Sequence, residues 1–144
     1  MPYLLLVLFI IQFFTGMALN LLIILPTNIF PASGGSLTDT FRYIFAGGNL
    51  LLSIHFLIGT LIIAVGVVNL LFVIHQKTVY KILSIISFVS VLSAFVNGER
   101  FVSSNFAING ISFGMAAGFL LAFILYLVMA MLMYRDIAVQ ASKN

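Results

Sequence analysis

Two ionisable residues within the apolar runs of this 144-residue chain are where any chemistry would be concentrated: His55 in L-L-S-I-H-F-L-I-G, and Glu99, beside Arg100 in N-G-E-R. An ionisable group in hydrocarbon is expensive and ordinarily faces protein or a cavity. A neutral imidazole donates one hydrogen bond and accepts another. The plainest role for His55 is therefore a link between helices, with Asn20, Asn109 or Ser112 as its candidate partners. A second role is axial ligation of a b-type haem, which needs an imidazole and gains from side-chain-free surface such as Gly48 and Gly59. A third is proton handling or substrate binding.

The haem reading needs a second ligand. His75 lies 20 residues beyond His55, which is ~30 Å along a helix and about 200° around it, so the two histidines cannot grip one haem. Met17 and Met115 reach a depth similar to His55, which leaves a His/Met site, or a bis-His site across a dimer. Met is also a common gap-filler of apolar cores. The segment H-F-L-I-G, residues 55–59, resembles a haem-bearing helix of cytochrome b-type proteins over those few residues. The corresponding functional alternative is a haem- or quinone-associated electron-transfer subunit using His55.

Glu99 and Arg100 end a polar run that begins at Asn97. Neighbouring helical residues point about 100° apart, so the two charges either pair at the interface, with Arg100 snorkelling, or separate. If they separate, Glu99 becomes a proton or cation site in the same half of the membrane as His55. A small transporter or channel would use both residues, but a pathway must connect both sides. The inner half supplies little beyond Asn69, Ser84 and Ser87.

Enzymatic patterns are scarce. The chain has no H-E-x-x-H, no phosphate loop and no G-x-S-x-G elbow. With no cysteine there is no thiol chemistry or disulfide. Six basic and three acidic residues give a net charge of +3, too few and too scattered for a nucleic-acid footprint.

The elements that position these residues follow from composition. With 63% hydrophobic residues, 6% charged and a mean hydropathy of +1.28, the chain cannot furnish a polar exterior, since soluble domains carry about 25% charged residues. Four apolar runs, approximately 3–25, 48–74, 79–101 and 106–134, are each long enough to cross a hydrocarbon layer of ~30 Å as a helix. Pro26 closes the first, which lacks the basic flank of a secretory signal and is expected to stay as a helix. Residues 26–47 form an outer loop whose Phe41, Tyr43 and Phe45 suit the headgroup level. Lys77, Lys81, Arg135 and Lys143 fall on the side of the termini, against Arg42 and Arg100 opposite, so the positive-inside rule expects cytoplasmic termini.

Glycine is roughly 1 kcal/mol worse than alanine in a soluble helix, yet Gly110, Gly114 and Gly118 recur at four-residue spacing and continue to Ala122. Between membrane helices, small residues at such spacing let backbones approach. Gly59 and Gly66 share an arc of about 80° with Gly48, His55, Ile62 and Asn69 on the second run. Gln12, Gly16 and Asn20 repeat on the first, and Ser87, Ser90, Ala94 and Gly98 line the third. The expectation is an all-α, four-helix transmembrane bundle forming one membrane domain over 1–144. Abundant packing faces and few reactive groups favour a non-catalytic subunit or scaffold, whose partners are lipid and other membrane subunits or further copies of itself.

Overall fold

The computed structural model describes residues 1–22, 28–31, 34–47 and 49–142. Five helices lie among them: α1 (Pro2–Leu22), α2 (Leu37–Ala46), α3 (Leu50–Val73), α4 (Thr78–Ser103) and α5 (Asn109–Ala141). All but α2 are long and apolar enough to cross a membrane. The fold is the expected all-α bundle, and the chain is a small polytopic, multi-pass membrane protein. Pro26, Gly48 and Lys143 fall outside the described residues.

The long helices close a ring in which α1 touches α3 and α5, α3 touches α4, and α4 forms the most extensive interface with α5. Opposed residues show that each neighbouring pair runs antiparallel. Gly16 meets His55 and Gln12 meets Gly59; Gly66 meets Phe88 and Asn69 meets Ser84; Gly98 meets Met115 and Gly118 meets Ser90; Tyr3 meets Ala130 and Phe9 meets Phe119. The centre of the ring is Leu5, Phe9, Ile62, Val91, Ala122, Tyr126 and Met129, with Phe9 edge-on to Phe119 at 5.0 Å between centroids. Large apolar side chains also point outward, including Leu22 at 78% exposure and Phe113 at 76%. Water would penalise that surface, whereas acyl chains match it.

Most polar groups in the bundle are satisfied locally or across helices, whereas Gln12 Oε1, Asn69 Oδ1 and the Tyr126 hydroxyl are buried without a hydrogen-bond partner among the described residues. Ser87 donates to Leu83 O at 2.6 Å and Ser90 to Ile86 O at 2.9 Å, each back to its own helix. Asn69 on α3 donates to Ser84 on α4 at 2.8 Å, with both side chains buried. Near the α3–α4 turn, Lys77 pairs with Asp136 of α5, and the Tyr80 hydroxyl donates to the same carboxylate at 2.6 Å.

Two boundaries differ from the sequence expectation. The first connection contains α2, where only a loop is expected. Ser36 and Asp39 form a reciprocal capping box at its start, with Asp39 N donating to Ser36 Oγ at 3.2 Å. The hydrogen bonds from Ser36 hold the Asp39 carboxyl below the usual carboxylate range. Thr40 and Ile44 turn inward from this helix, and Ile44 packs with Leu19 and Leu52. The last long helix begins at Asn109 and ends at Ala141, later on both sides than 106–134. Asn105 and Phe106 take left-handed backbone angles (φ 56° and 59°), which break the helical path between α4 and α5. Asn105 also accepts hydrogen bonds from Ile29 N and Phe30 N at 3.0 and 2.8 Å, binding the first connection to this turn. The 33 residues of α5 extend ~50 Å, so the helix outruns a hydrocarbon layer of ~30 Å.

The glycines of α5 have unequal surroundings. A Cβ on Gly118 would lie 3.0 Å from Ser90 O and 3.2 Å from Ala94 N, both backbone atoms of α4, whereas one on Gly110 would meet nothing within 4 Å. Gly118→Leu should therefore force α4 and α5 apart and lower stability by about 1–3 kcal/mol. Gly110→Leu should stay within about 0.5 kcal/mol of the parent. Thermal unfolding in detergent, followed by loss of the monodisperse chromatographic peak, checks both.

Candidate functional site

His55 sits on α3 five residues from its start and faces α1. Its ring lies over Gly16, where a Cβ would stand 3.1 Å from Cε1, so the absence of a side chain at Gly16 is what admits the imidazole. Gln12 Nε2 lies 3.0 Å from His55 Nε2, and Thr15 Oγ1 lies 2.9 Å from His55 Nδ1. The Thr15 hydroxyl donates its single proton to Gln12 O at 3.0 Å. It can therefore only accept from the ring, which assigns the proton to Nδ1 and makes Nε2 the acceptor of the Gln12 amide. The imidazole is neutral in this network, with both nitrogens engaged.

The sequence points to Asn20, Asn109 or Ser112 as partners for these bonds. The antiparallel register of α1 and α3 puts Gln12 and Thr15 there instead. Asn109 opens α5 and is exposed. Gln12 is visible in sequence on the polar face of the first helix. Thr15 offers no such signal, because a threonine within an apolar helix most often only bonds back to its own backbone.

Beside this network lies a cavity of about 300 Å³ bounded by all four long helices. On α3 its wall runs from Leu52 to Ile62, a rise of ~15 Å along the helix, so the space is elongated across the membrane. The lining is overwhelmingly apolar. At its inner end stand Phe9, Ile62, Val91 and Phe119, and toward the α2 end Phe56, Phe95, Phe101 and Phe106. Phe56 packs against Phe95 at 5.4 Å between centroids with the rings tilted by 48°, and Phe41 and Phe45 of α2 meet it in edge contacts at 5.3 and 5.6 Å. The interfacial helix thus buttresses the aromatic wall.

The residues singled out in sequence divide around this space. His55, Gly59, Gly16, Met17, Met115, Asn20 and Glu99 share its wall. Asn97 turns away, donating to Ser93 O at 2.9 Å and packing over Gly114. Arg100 is exposed, and neither it nor any other base forms an ion pair with Glu99 among the described residues. The α3–α4 pairing marked by Asn69 with Ser84 and Phe56 with Phe95 places Glu99 within one helical turn, ~5 Å, of the level of His55.

Axial haem ligation does not fit this arrangement. Both His55 nitrogens are committed to α1, and the Met115 sulfur lies 3.3 Å from the Cβ position of Gly98, packed between α4 and α5. No group of three or more potential metal ligands is found among the described residues.

No protein-family model, curated protein or solved structure matches this chain. The site has to be interpreted from its own chemistry.

The Gln12–His55 contact has a measurable signature. His55→Leu should destabilise the protein by about 1–3 kcal/mol, because it leaves the Gln12 amide and Thr15 without their partner. In a double-mutant cycle with Gln12→Leu, the coupling should be about 0.6 kcal/mol and below about 1.7, the range for polar contacts between membrane helices. Reversible unfolding in mixed micelles gives all four corners of the cycle.

Proposed function

We propose that this protein is a non-catalytic membrane protein that holds a single-tailed amphiphile within the bilayer. The observation that carries this reading is the elongated cavity of about 300 Å³ between α1, α3, α4 and α5. That volume is at the lower end of the range of small-molecule sites, and its few convergent polar groups on an apolar wall are what such sites use. An apolar tail entering from the α2 end would lie against Ile62, Phe9 and Phe119, with its head level with His55 and Glu99. The electron-transfer alternative narrows to a quinone-like occupant of this same space, since the haem form of it lacks a free ligand.

A second reading, subunit or scaffold of a larger membrane assembly, is favoured by one face of α5. Gly110 has open space beside it and Phe113 is strongly exposed, a surface on which another helix could close. Transport finds less support, because the cavity wall stops at Ile62 on α3 and Val91 on α4, short of the opposite end of the bundle. The orientation proposed is with α2 outside. Lys77, Lys81 and Arg135 gather at the end away from α2, and Arg42 and Arg100 at the α2 end.

Native mass spectrometry of protein released gently from membranes should show one amphiphile per chain, lost in Gly59→Leu. That substitution starts 3.4 Å from the Gln12 amide and grows into the cavity. Apoprotein alone in the parent contradicts the binding reading, and additional polypeptide mass supports the assembly reading. Because the chain has no cysteine, orientation is checked with single replacements. Thr38→Cys should be labelled by an impermeant thiol reagent on intact cells, and Ser142→Cys only after lysis.

A further inference from the structure

We infer that the cavity selects an amphiphile with a cationic, ammonium-type head, recognised by Glu99. This rests on the cavity reading above and goes further by naming the chemistry of the head. Three observations converge on it. Among the described residues, Glu99 is the only acidic residue on the cavity wall, and it has no hydrogen-bond or ion-pair partner. The bases nearest in the fold leave it alone: Arg100 is exposed, and Arg42 acts on Asp39 one turn earlier on α2. Glu99 is half-buried on an apolar wall without a counter-charge, and a cation arriving with the ligand supplies one through charge-assisted hydrogen bonds. His55 does not supply the charge, because its Nε2 is occupied as an acceptor.

The surroundings favour a cation over a neutral donor. Phe101 and Phe106, in edge contact at 5.5 Å, line the cavity near Glu99, as do Phe56 and Phe95. The face of an aromatic ring attracts an ammonium group, so aromatic residues sharing the wall with a carboxylate favour positive charge. Asn20 on the same wall adds a side-chain amide. Glu99 is four residues from the end of α4 at Ser103, ~6 Å along the helix. A head bound there remains near the α2 end while its tail runs ~12 Å along the cavity axis, the rise from Glu99 to Val91 on α4.

The test uses the full chain in zwitterionic phosphatidylcholine nanodiscs and two ten-carbon probes, decylammonium and 1-decanol, with partition into empty nanodiscs subtracted. The parent should bind decylammonium at least about tenfold more tightly than decanol. Glu99→Gln should lose that preference, at least about tenfold in decylammonium affinity, while retaining decanol binding, which also shows that the variant is folded. Glu99→Asp should keep part of the preference. Saturable binding of decanol with no preference for decylammonium, or a preference unchanged in Glu99→Gln, overturns the inference and leaves the cavity reading intact. No saturable binding of either probe to the parent overturns both.

Discussion

Within a hydrocarbon layer the hydrophobic effect cannot press helices together, because the lipid tails are as apolar as the side chains they would replace. What remains is close packing and a few hydrogen bonds. This constraint orders the bundle. The tightest approach occurs where a side chain is missing: Gly118 against the α4 backbone, Gly16 beneath the His55 ring and Gly66 beside Phe88. Where α4 and α5 come closest they form the most extensive interface of the molecule, while the outer faces keep large apolar residues that no neighbour covers.

The same constraint explains why the cavity is where it is. At the inner end, Tyr126, Met129 and Ala130 of α5 fill the ring with almost no residual exposure. Toward the α2 end the helices carry Gly59 and Gly98 with Ala94 and Ala116, which leave volume between the backbones. The bundle answers with aromatics rather than closure. Phe56 and Phe95 pack at a tilt across the wall, and α2 lays Phe41 and Phe45 on top. A void deprives the atoms that line it of dispersion attraction, so an occupant with a matching tail would add to the packing of this half.

Polar groups in such a setting have two fates. The His55 ring is closed into a circuit with Gln12 and Thr15 that leaves neither nitrogen free, an interhelical tie between α1 and α3. Asn69 and Ser84 form a comparable tie between α3 and α4. Glu99 has no such circuit. In sequence His55 looks the more reactive of the two, because histidine is the versatile ligand and base. In the folded chain Glu99 is the group with unspent capacity, because its neighbours on the wall are apolar or aromatic.

Much of the architecture is determined by composition and run length alone. Backbone groups in lipid must be satisfied within the segment, so four apolar runs of sufficient length are expected as helices, and the candidates His55, Met17 and Met115 fall at similar depth by counting residues, with Glu99 in the same half. The helix in the first connection was also legible, in Ser36 and Asp39 at capping-box spacing, though its short span within a glycine-rich stretch hid it. Rotation and register were not legible. They depend on which small residue meets which large one, Gly16 with His55 or Gly66 with Phe88, and a step of one residue turns a side chain by about 100°. Only the assembled helices could therefore decide that His55 bonds to Gln12 and Thr15 rather than to Asn20, and that Glu99 parts from Arg100 to face the cavity. Those choices are made by contacts between residues distant in the chain, and no local pattern encodes them.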